Sequence, residues 1–394
     1  MPAPGHLPLP ELWDYITEFI TAPKDLKSIS LTCRSFCSAA QKRLYHDICI
    51  EENLLMMSYG YNPANPKAYH LSAILSHSPH ILGYIRTLRV YSRSHTVHAV
   101  LAAIPWSHLR NLTIKLTPAL SGREDVKTLV RIPSLRALYV QFDAPRDDEA
   151  LFFVLSSCSQ NIDELGFLER IDEGDEGQES NISFVPPTLT SPRSTIHSLT
   201  LCTNAFVPDV LGNLFDLHSL KNLTWNGVHS PTLERLFAEF GASVEALHLP
   251  HGFPDMEVSV NNSSFSLAHF PSLHHLRVNV NPDNDKFKFI SPLTTVTIGE
   301  VVERVNPTIT HLTLEISITT NMRWAKEFEK MLVQRYLELG ALQEVRVVLL
   351  ETGTGTEFRT DDDGDRDRLS IEGLRELFRE LQKKKGNINI IFCV

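Results

Sequence analysis

The chain has 394 residues, of which 42% are hydrophobic and 21% are charged, and its formal net charge is −10. This length provides for two or three ordinary domains, or for one short domain followed by a long array, and the hydrophobic content excludes global disorder. The acidic balance argues against a nucleic-acid-binding protein, which would present a basic stripe to phosphates.

The first predicted element is a bundle of three helices in residues 7–50. Its apolar residues recur at helical spacing in three blocks, and Pro10 and Pro23 suit the first turns of two of the helices. Three helices in about 45 residues rarely bury all of their apolar surface, so we expect this bundle to dock onto a partner.

These residues resemble the F-box, a pattern that runs from Leu-Pro and an acidic residue to Asp-Leu and Val-Cys-Arg. Glu11, Leu12 and Ile16 match its first part, although the Leu-Pro spacing differs and Thr32 stands where valine is usual. The resemblance implies binding to the Skp-type adaptor of a cullin-RING ubiquitin ligase, and through it to the cullin and RING subunits. The adaptor-binding residues that it implies are Leu9, Pro10, Leu12, Ile16, Leu26, Leu31, Cys33 and Arg34. The alternative interpretation is that these side chains only fill the core of the bundle.

Residues 51–84 are predicted to be a helical linker, with a helix from Pro66 to Ile81 that breaks at Pro79. From Ile85 onward the pattern apolar-x-x-Leu-x-apolar recurs. Ten segments carry it, one of them with valine in place of leucine: IRTLRV, LRNLTI, LRALYV, IDELGF, IHSLTL, LKNLTW, VEALHL, LHHLRV, ITHLTL and LQEVRV. The central residues are 24 apart from Leu88 to Leu112, and such a period is typical of a solenoid.

Amphipathic segments lie between these patterns, at residues 97–104, 151–155, 210–215 and 233–240. A strand followed by a helical return resembles the construction of leucine-rich repeats, although the asparagine usual in that family is present only at Asn204 and Asn281. We therefore predict an α/β fold, in which a helical bundle over residues 1–50 precedes a divergent leucine-rich-repeat-like solenoid over residues 85–394. Its curved parallel sheet would carry helices on the outer side, and residues 369–394 would form a helix, a strand and the C-terminal cap.

Side chains alternate along a strand, so the residues between the apolar positions of each pattern are expected to point away from the core. These residues are predicted to form a solvent-facing strip on the concave face, and Gln141, Asn226 and Glu315 belong to this strip. The predicted substrate-binding residues in this strip are Arg89, Tyr91, Lys115, Tyr139, His248, His275, Arg277 and Arg346. Tyrosine and arginine are common interface anchors, and the alternative is a simply solvated sheet face.

Other chemistry is weakly indicated. His248, His275 and His311 occupy similar positions on neighbouring strands, but they lack cysteine or carboxylate partners at the spacing of a zinc site. The acidic segment 361–372 has carboxylates at four EF-hand positions, but Arg366 replaces the glycine of the calcium loop, so we predict a solvated acidic loop. The sequence therefore predicts no metal and no cofactor.

Six scattered cysteines and an N-terminus without the features of a signal peptide indicate an intracellular protein, cytoplasmic or nuclear. No apolar run reaches the ~18 residues of a transmembrane helix, so no membrane partner is expected. Catalytic motifs are also missing. We predict a non-catalytic receptor subunit that recruits a protein substrate to an SCF-type ubiquitin ligase; the alternatives are an interaction scaffold without ubiquitin transfer and an enzyme.

Overall fold

The computed structural model divides the chain into two units, one of Met1–Ile196 with Asp209–Asp216 and the other of His197–Pro208 with Leu217–Val394. The fold is mixed α/β with a large parallel sheet, as predicted. The predicted site residues Leu9 and Asn226 and the acidic segments 172–179 and 361–372 lie outside the described residues. The described residues are 10–51, 66–117, 120, 123–142, 148–169, 194–202, 208–225, 231–249, 267–280, 308–318, 343–351, 383 and 389–393.

The first unit begins with the three predicted helices: α1 (Pro10–Glu18), α2 (Pro23–Ser30) and α3 (Arg34–Tyr45). Both α1 and α2 start at proline, which lacks only an N–H that a first helical turn leaves unpaired. Helix α1 packs on α3 through the rings of Trp13 and Phe36, whose centroids are 4.2 Å apart. Leu26 of α2 and the small residues Ala39 and Ala40 of α3 form the buried centre of the bundle.

Five parallel strands follow in the first unit, each beside the next: β1 (Asp47–Glu51), β2 (Thr87–Tyr91), β3 (Asn111–Leu116), β4 (Ala137–Phe142) and β5 (Glu164–Glu169). The central leucines of successive patterns stand in register, as Leu88 does with Leu112. Residues 47–50, which we assigned to the helical bundle, instead form most of β1. The parallel pairing of Ile48 with Leu88 shows that they continue the sheet.

Within the described part of this unit, four α-helices lie between these strands: α4 (Pro66–His77), α5 (His95–Ala102), α6 (Glu124–Val130) and α7 (Asp148–Ser156). The helix predicted from Pro66 is confirmed, and a 3-10 turn over Pro79–Gly83 follows it because proline cannot continue an α-helix. The buried side chains of these helices, such as Val97, Leu101 and Leu129, share the core with the strand leucines. No helix of the described residues is long and apolar enough to cross a membrane.

The remaining strands are β6 (Ser194–Thr195), β7 (Ser198–Cys202), β8 (Phe215–Asp216), β9 (Asn222–Trp225), β10 (Ala246–Leu249), β11 (His275–Val280), β12 (His311–Ile318), β13 (Glu344–Glu351) and β14 (Asn389–Cys393). Strands β6 and β8 pair within the first unit. In the second unit, β7 and β9–β14 lie parallel in chain order. In the described residues two α-helices lie among these strands, both at predicted amphipathic segments: α8 (Pro208–Leu214), almost all of it in the first unit, and α9 (Pro231–Phe240) in the second.

The same hydrogen-bond arrangement recurs at the start of strands in both units. A single carbonyl accepts the N–H of the first residue of the next strand and the N–H of the residue before it. The carbonyl of Arg86, for example, accepts from Arg110 at 2.8 Å and from Asn111 at 2.9 Å. In the second unit the carbonyl of Lys221 accepts from Glu245 and Ala246 in the same way. This shared geometry aligns consecutive strands and explains why the pattern leucines stand side by side.

Candidate functional site

Helix α1 turns an apolar stripe towards solvent, which we call the outer face of α1: Leu12, Tyr15 and Phe19. These residues lie three and seven positions apart, so they share one side of the helix or its continuation. Phe19 is 69% exposed, and its ring lies 4.9 Å from that of Tyr15. On the opposite side, Trp13 contacts α3 and Thr17 is buried. The sequence prediction missed Tyr15 and Phe19, although their helical spacing from Leu12 is a usable signal.

The other predicted adaptor-binding residues differ in how far they are exposed to solvent. Leu31 follows α2 and is 86% exposed, and Cys33 and Arg34 are exposed at the start of α3, while Ile16 is half-buried. Pro10 begins α1. Leu26 is the exception, because it lies in the middle of α2 on the side packed against α3 and is buried. Its side chain fills the core and offers no docking surface, as the alternative interpretation expected.

In the first unit, Arg89 of the predicted strip forms an ion pair with Asp47 on the edge strand β1. Nε of Arg89 donates to Oδ1 of Asp47 at 3.2 Å, and this hydrogen bond raises the pKa of Arg89. Both side chains remain largely exposed, so the pair contributes at most about 1 kcal/mol to stability. Tyr91 is half-buried on the same strand, and burial raises the pKa of its phenol.

Tyr139 lies sideways across the sheet. Its register partner on β5 is Gly166, and the ring occupies the space that a side chain at Gly166 would need. Its hydroxyl donates to a carboxylate oxygen of Glu164. Burial, and then this hydrogen bond, raise the pKa of Tyr139 well above its usual value. Tyr139 is therefore a fixed, half-buried part of the face.

Lys115 does not face solvent, and this part of the prediction is wrong. Its side chain is 6% exposed on β3. Strand β3 lies between β2 and β4, so side chains of two neighbouring strands flank Lys115, whereas our prediction considered the alternation along one strand alone. Glu315, another member of the strip, is also buried.

The second unit brings three predicted residues together across β10, β11 and β12: His248, Arg277 and Glu315. Nε of Arg277 donates to Oε1 of Glu315 at 2.9 Å. Nε2 of His248 lies 3.5 Å from Oε2 of the same carboxylate. Burial lowers the pKa of His248 and the charge of Arg277 lowers it further, while Glu315 acts in the opposite direction.

Two further histidines stack beside this cluster. The rings of His275 and His311, which are in register on β11 and β12, have centroids 4.4 Å apart. Burial lowers the pKa of His275, and the neighbouring His311 and His274 lower it further. Arg346 on β13 pairs with Glu344 at 3.2 Å. In the part of the chain that the structure describes, no three metal-ligand side chains gather at a site that could hold a metal ion.

The described predicted residues therefore form three candidate surfaces, which lie on the helical bundle, on the sheet of the first unit and on the sheet of the second unit. The bundle surface is apolar, the sheet surface of the first unit combines an ion pair with half-buried tyrosines, and the sheet surface of the second unit combines ion pairs with imidazole rings. Comparison with models of known protein families and with curated proteins finds no match to this chain.

Proposed function

We propose that the chain is a substrate-recruiting receptor subunit of a cullin-RING ubiquitin ligase. In this proposal an F-box in residues 1–50 binds a Skp-type adaptor, and a leucine-rich-repeat-like solenoid binds a protein target. The observation that carries it is the outer face of α1, together with the almost fully exposed Leu31, on a bundle whose sequence resembles the F-box.

The energetics support docking of this surface. A small bundle whose buried centre is one leucine and two alanines has little core of its own. Covering Leu12, Phe19 and Leu31 would each contribute about 1.5–3 kcal/mol through removal of apolar area from water. The loss of translational and rotational freedom on association costs about 4–15 kcal/mol and offsets much of this gain, so the apolar contacts favour docking but need further contacts for a stable complex.

The repeated strand entries support the solenoid part of the proposal. The same double hydrogen bond to one carbonyl precedes nine described strands, as expected when each strand and its return form one structural unit. Such a receptor acts by proximity: it holds a target beside the ubiquitin-transfer machinery and raises its local concentration. No residue of the chain then needs to form a covalent bond.

The test is a binding assay between the full chain and a purified Skp-type adaptor. We expect Leu12→Asp combined with Leu31→Asp to abolish binding, because a charge on a covered apolar surface is costly to desolvate. Ile74→Asp is the matched control, since Ile74 is an exposed apolar residue of α4 outside the bundle. Unchanged adaptor binding by the double variant would contradict the proposal, as would equal loss with the control.

Ubiquitin transfer separates this function from its alternative. With adaptor, cullin, RING subunit and target supplied, the receptor should support modification of the target, and the Leu12→Asp, Leu31→Asp chain should not. A chain that binds the adaptor but never co-purifies with cullin would instead be an F-box scaffold without ubiquitin transfer.

A further inference from the structure

On the sheet surface of the second unit, each arginine projects further into solvent than the carboxylate that it pairs with. The side chain of Arg277 is 52% exposed and that of its partner Glu315 is 7% exposed. The side chain of Arg346 is 45% exposed and that of its partner Glu344 is 22% exposed. Both ion pairs therefore present their positive ends to an approaching molecule.

The ion pair between Arg277 and Glu315 is better explained by a role in binding a ligand than by a contribution to folding stability. Taking a carboxylate out of water is costly, and a buried ion pair usually contributes little net stability for that reason. Glu315 nevertheless accepts from both Nε and Nη2 of Arg277, which fixes the guanidinium in one orientation. A guanidinium held in this way loses less conformational entropy when it binds an anion.

The two arginines have a defined separation. Arg277 stands in register with Thr313, and Thr313 stands in register with Arg346, so one strand lies between the arginines. At about 4.8 Å per strand, their backbones are roughly 9–10 Å apart. An extended polyproline II segment repeats every three residues with a rise of about 3.1 Å each, so its side chains three positions apart are separated by about 9 Å on one side.

We infer that this surface binds an acidic peptide segment of a partner protein, with two carboxylates three residues apart placed opposite Arg277 and Arg346. The inference rests on the proposed function only in that the segment would belong to the recruited target. The imidazole ring of His275 lies two residues before Arg277 on the same strand and can add a donor to the bound carboxylates. Charge complementarity favours an acidic partner here although the chain as a whole carries a net charge of −10.

The test is fluorescence anisotropy with the full chain and a labelled peptide of serine and proline that carries two glutamates three residues apart. We expect saturable binding that weakens as salt is added. Binding should weaken about tenfold or more when both glutamates become glutamine, since charged hydrogen bonds are the stronger ones. A peptide with adjacent glutamates should bind less tightly than the spaced one.

Variants of the protein test where the peptide binds. Arg346→Gln should weaken binding of the spaced peptide about tenfold, and Arg110→Gln, an exposed arginine before β3, should leave it unchanged. Arg277→Gln combined with Glu315→Gln removes the projecting cation without leaving a buried unpaired carboxylate, and it should weaken binding similarly. Equal affinity for the glutamine peptide, or full affinity in both variants, would overturn the inference. Because this assay contains no adaptor, its failure is distinct from a failure of the adaptor-binding test.

Discussion

Replacing Gly166 with alanine tests whether Tyr139 lies across the sheet because β5 lacks a side chain there. An added Cβ would overlap Cδ1 of Tyr139 and lie 2.6 Å from its Cε1, so the ring must move. The displaced tyrosine loses its hydrogen bond to the Glu164 carboxylate, worth about 1.5–3 kcal/mol. Alanine recovers about 0.5–1 kcal/mol over glycine within a strand. We therefore expect a net local destabilisation of roughly 0.5–2.5 kcal/mol.

Amide hydrogen exchange of β4 and β5 measures this local free energy. The decisive comparison is a double-mutant cycle with Tyr139→Ala, which removes the ring that the new methyl group would meet. In that background Gly166→Ala should be neutral or stabilise by up to about 1 kcal/mol. The reasoning is refuted if Gly166→Ala accelerates exchange equally with and without the tyrosine.

Three other outcomes follow from burial, charge and strand pairing. Leu26→Ala should destabilise the bundle by about 2–5 kcal/mol in urea unfolding, whereas Leu31→Ala should change it by less than about 0.5 kcal/mol. Because burial lowers the pKa of His248, its contribution to stability is full above the unfolded value of about 6.5 and is lost as the pH falls below it. His248→Asn should flatten this part of a pH series of unfolding midpoints. Deletion of residues 1–45 should retain the β1–β2 pairing, whereas deletion of residues 1–51 should deprotect β2 in amide exchange.

The strands were predictable because their signal is repeated. Each of the ten patterns coincides with a strand, from β2 to β13. Two described strands of the large parallel sheet lie outside the ten patterns: β14, which falls in the predicted C-terminal strand, and β1, whose residues we assigned to the bundle. Its sequence YHDICI nevertheless fits the same spacing, with Ile48 and Ile50 in place of leucine and the last apolar residue. Both isoleucines align with Leu88 and Val90 of β2, so a pattern search open to any central aliphatic residue finds this strand.

The side-chain contacts on the sheet were less predictable, because they join residues that are not in register on neighbouring strands. Arg277 is in register with Thr313 but reaches Glu315, two residues further along β12. Tyr139 is in register with Gly166 but reaches Glu164, two residues earlier on β5. Sequence patterns indicate which residues share a face of the sheet. They do not give the side-chain rotamers, which determine whether a side chain contacts the residue in register with it or one two positions away on the neighbouring strand. The glycine in IDELGF was a usable signal, because a strand position without a side chain leaves room for a neighbouring ring.

The position of β1 changes how the proposed receptor would work. Helix α3 ends at Tyr45 and β1 begins at Asp47, and the carbonyl of the single residue between them accepts the N–H groups of Arg86 and Thr87. The bundle is therefore joined to the sheet of the first unit by paired backbone, whereas we had predicted a linker after the bundle. A flexible tether spreads its cargo over a volume that grows with its length, while a paired junction restricts it to a narrow range of positions. For the proposed receptor, the junction at His46 would thus determine which lysines of a target held by the first unit can reach the ubiquitin-transfer site.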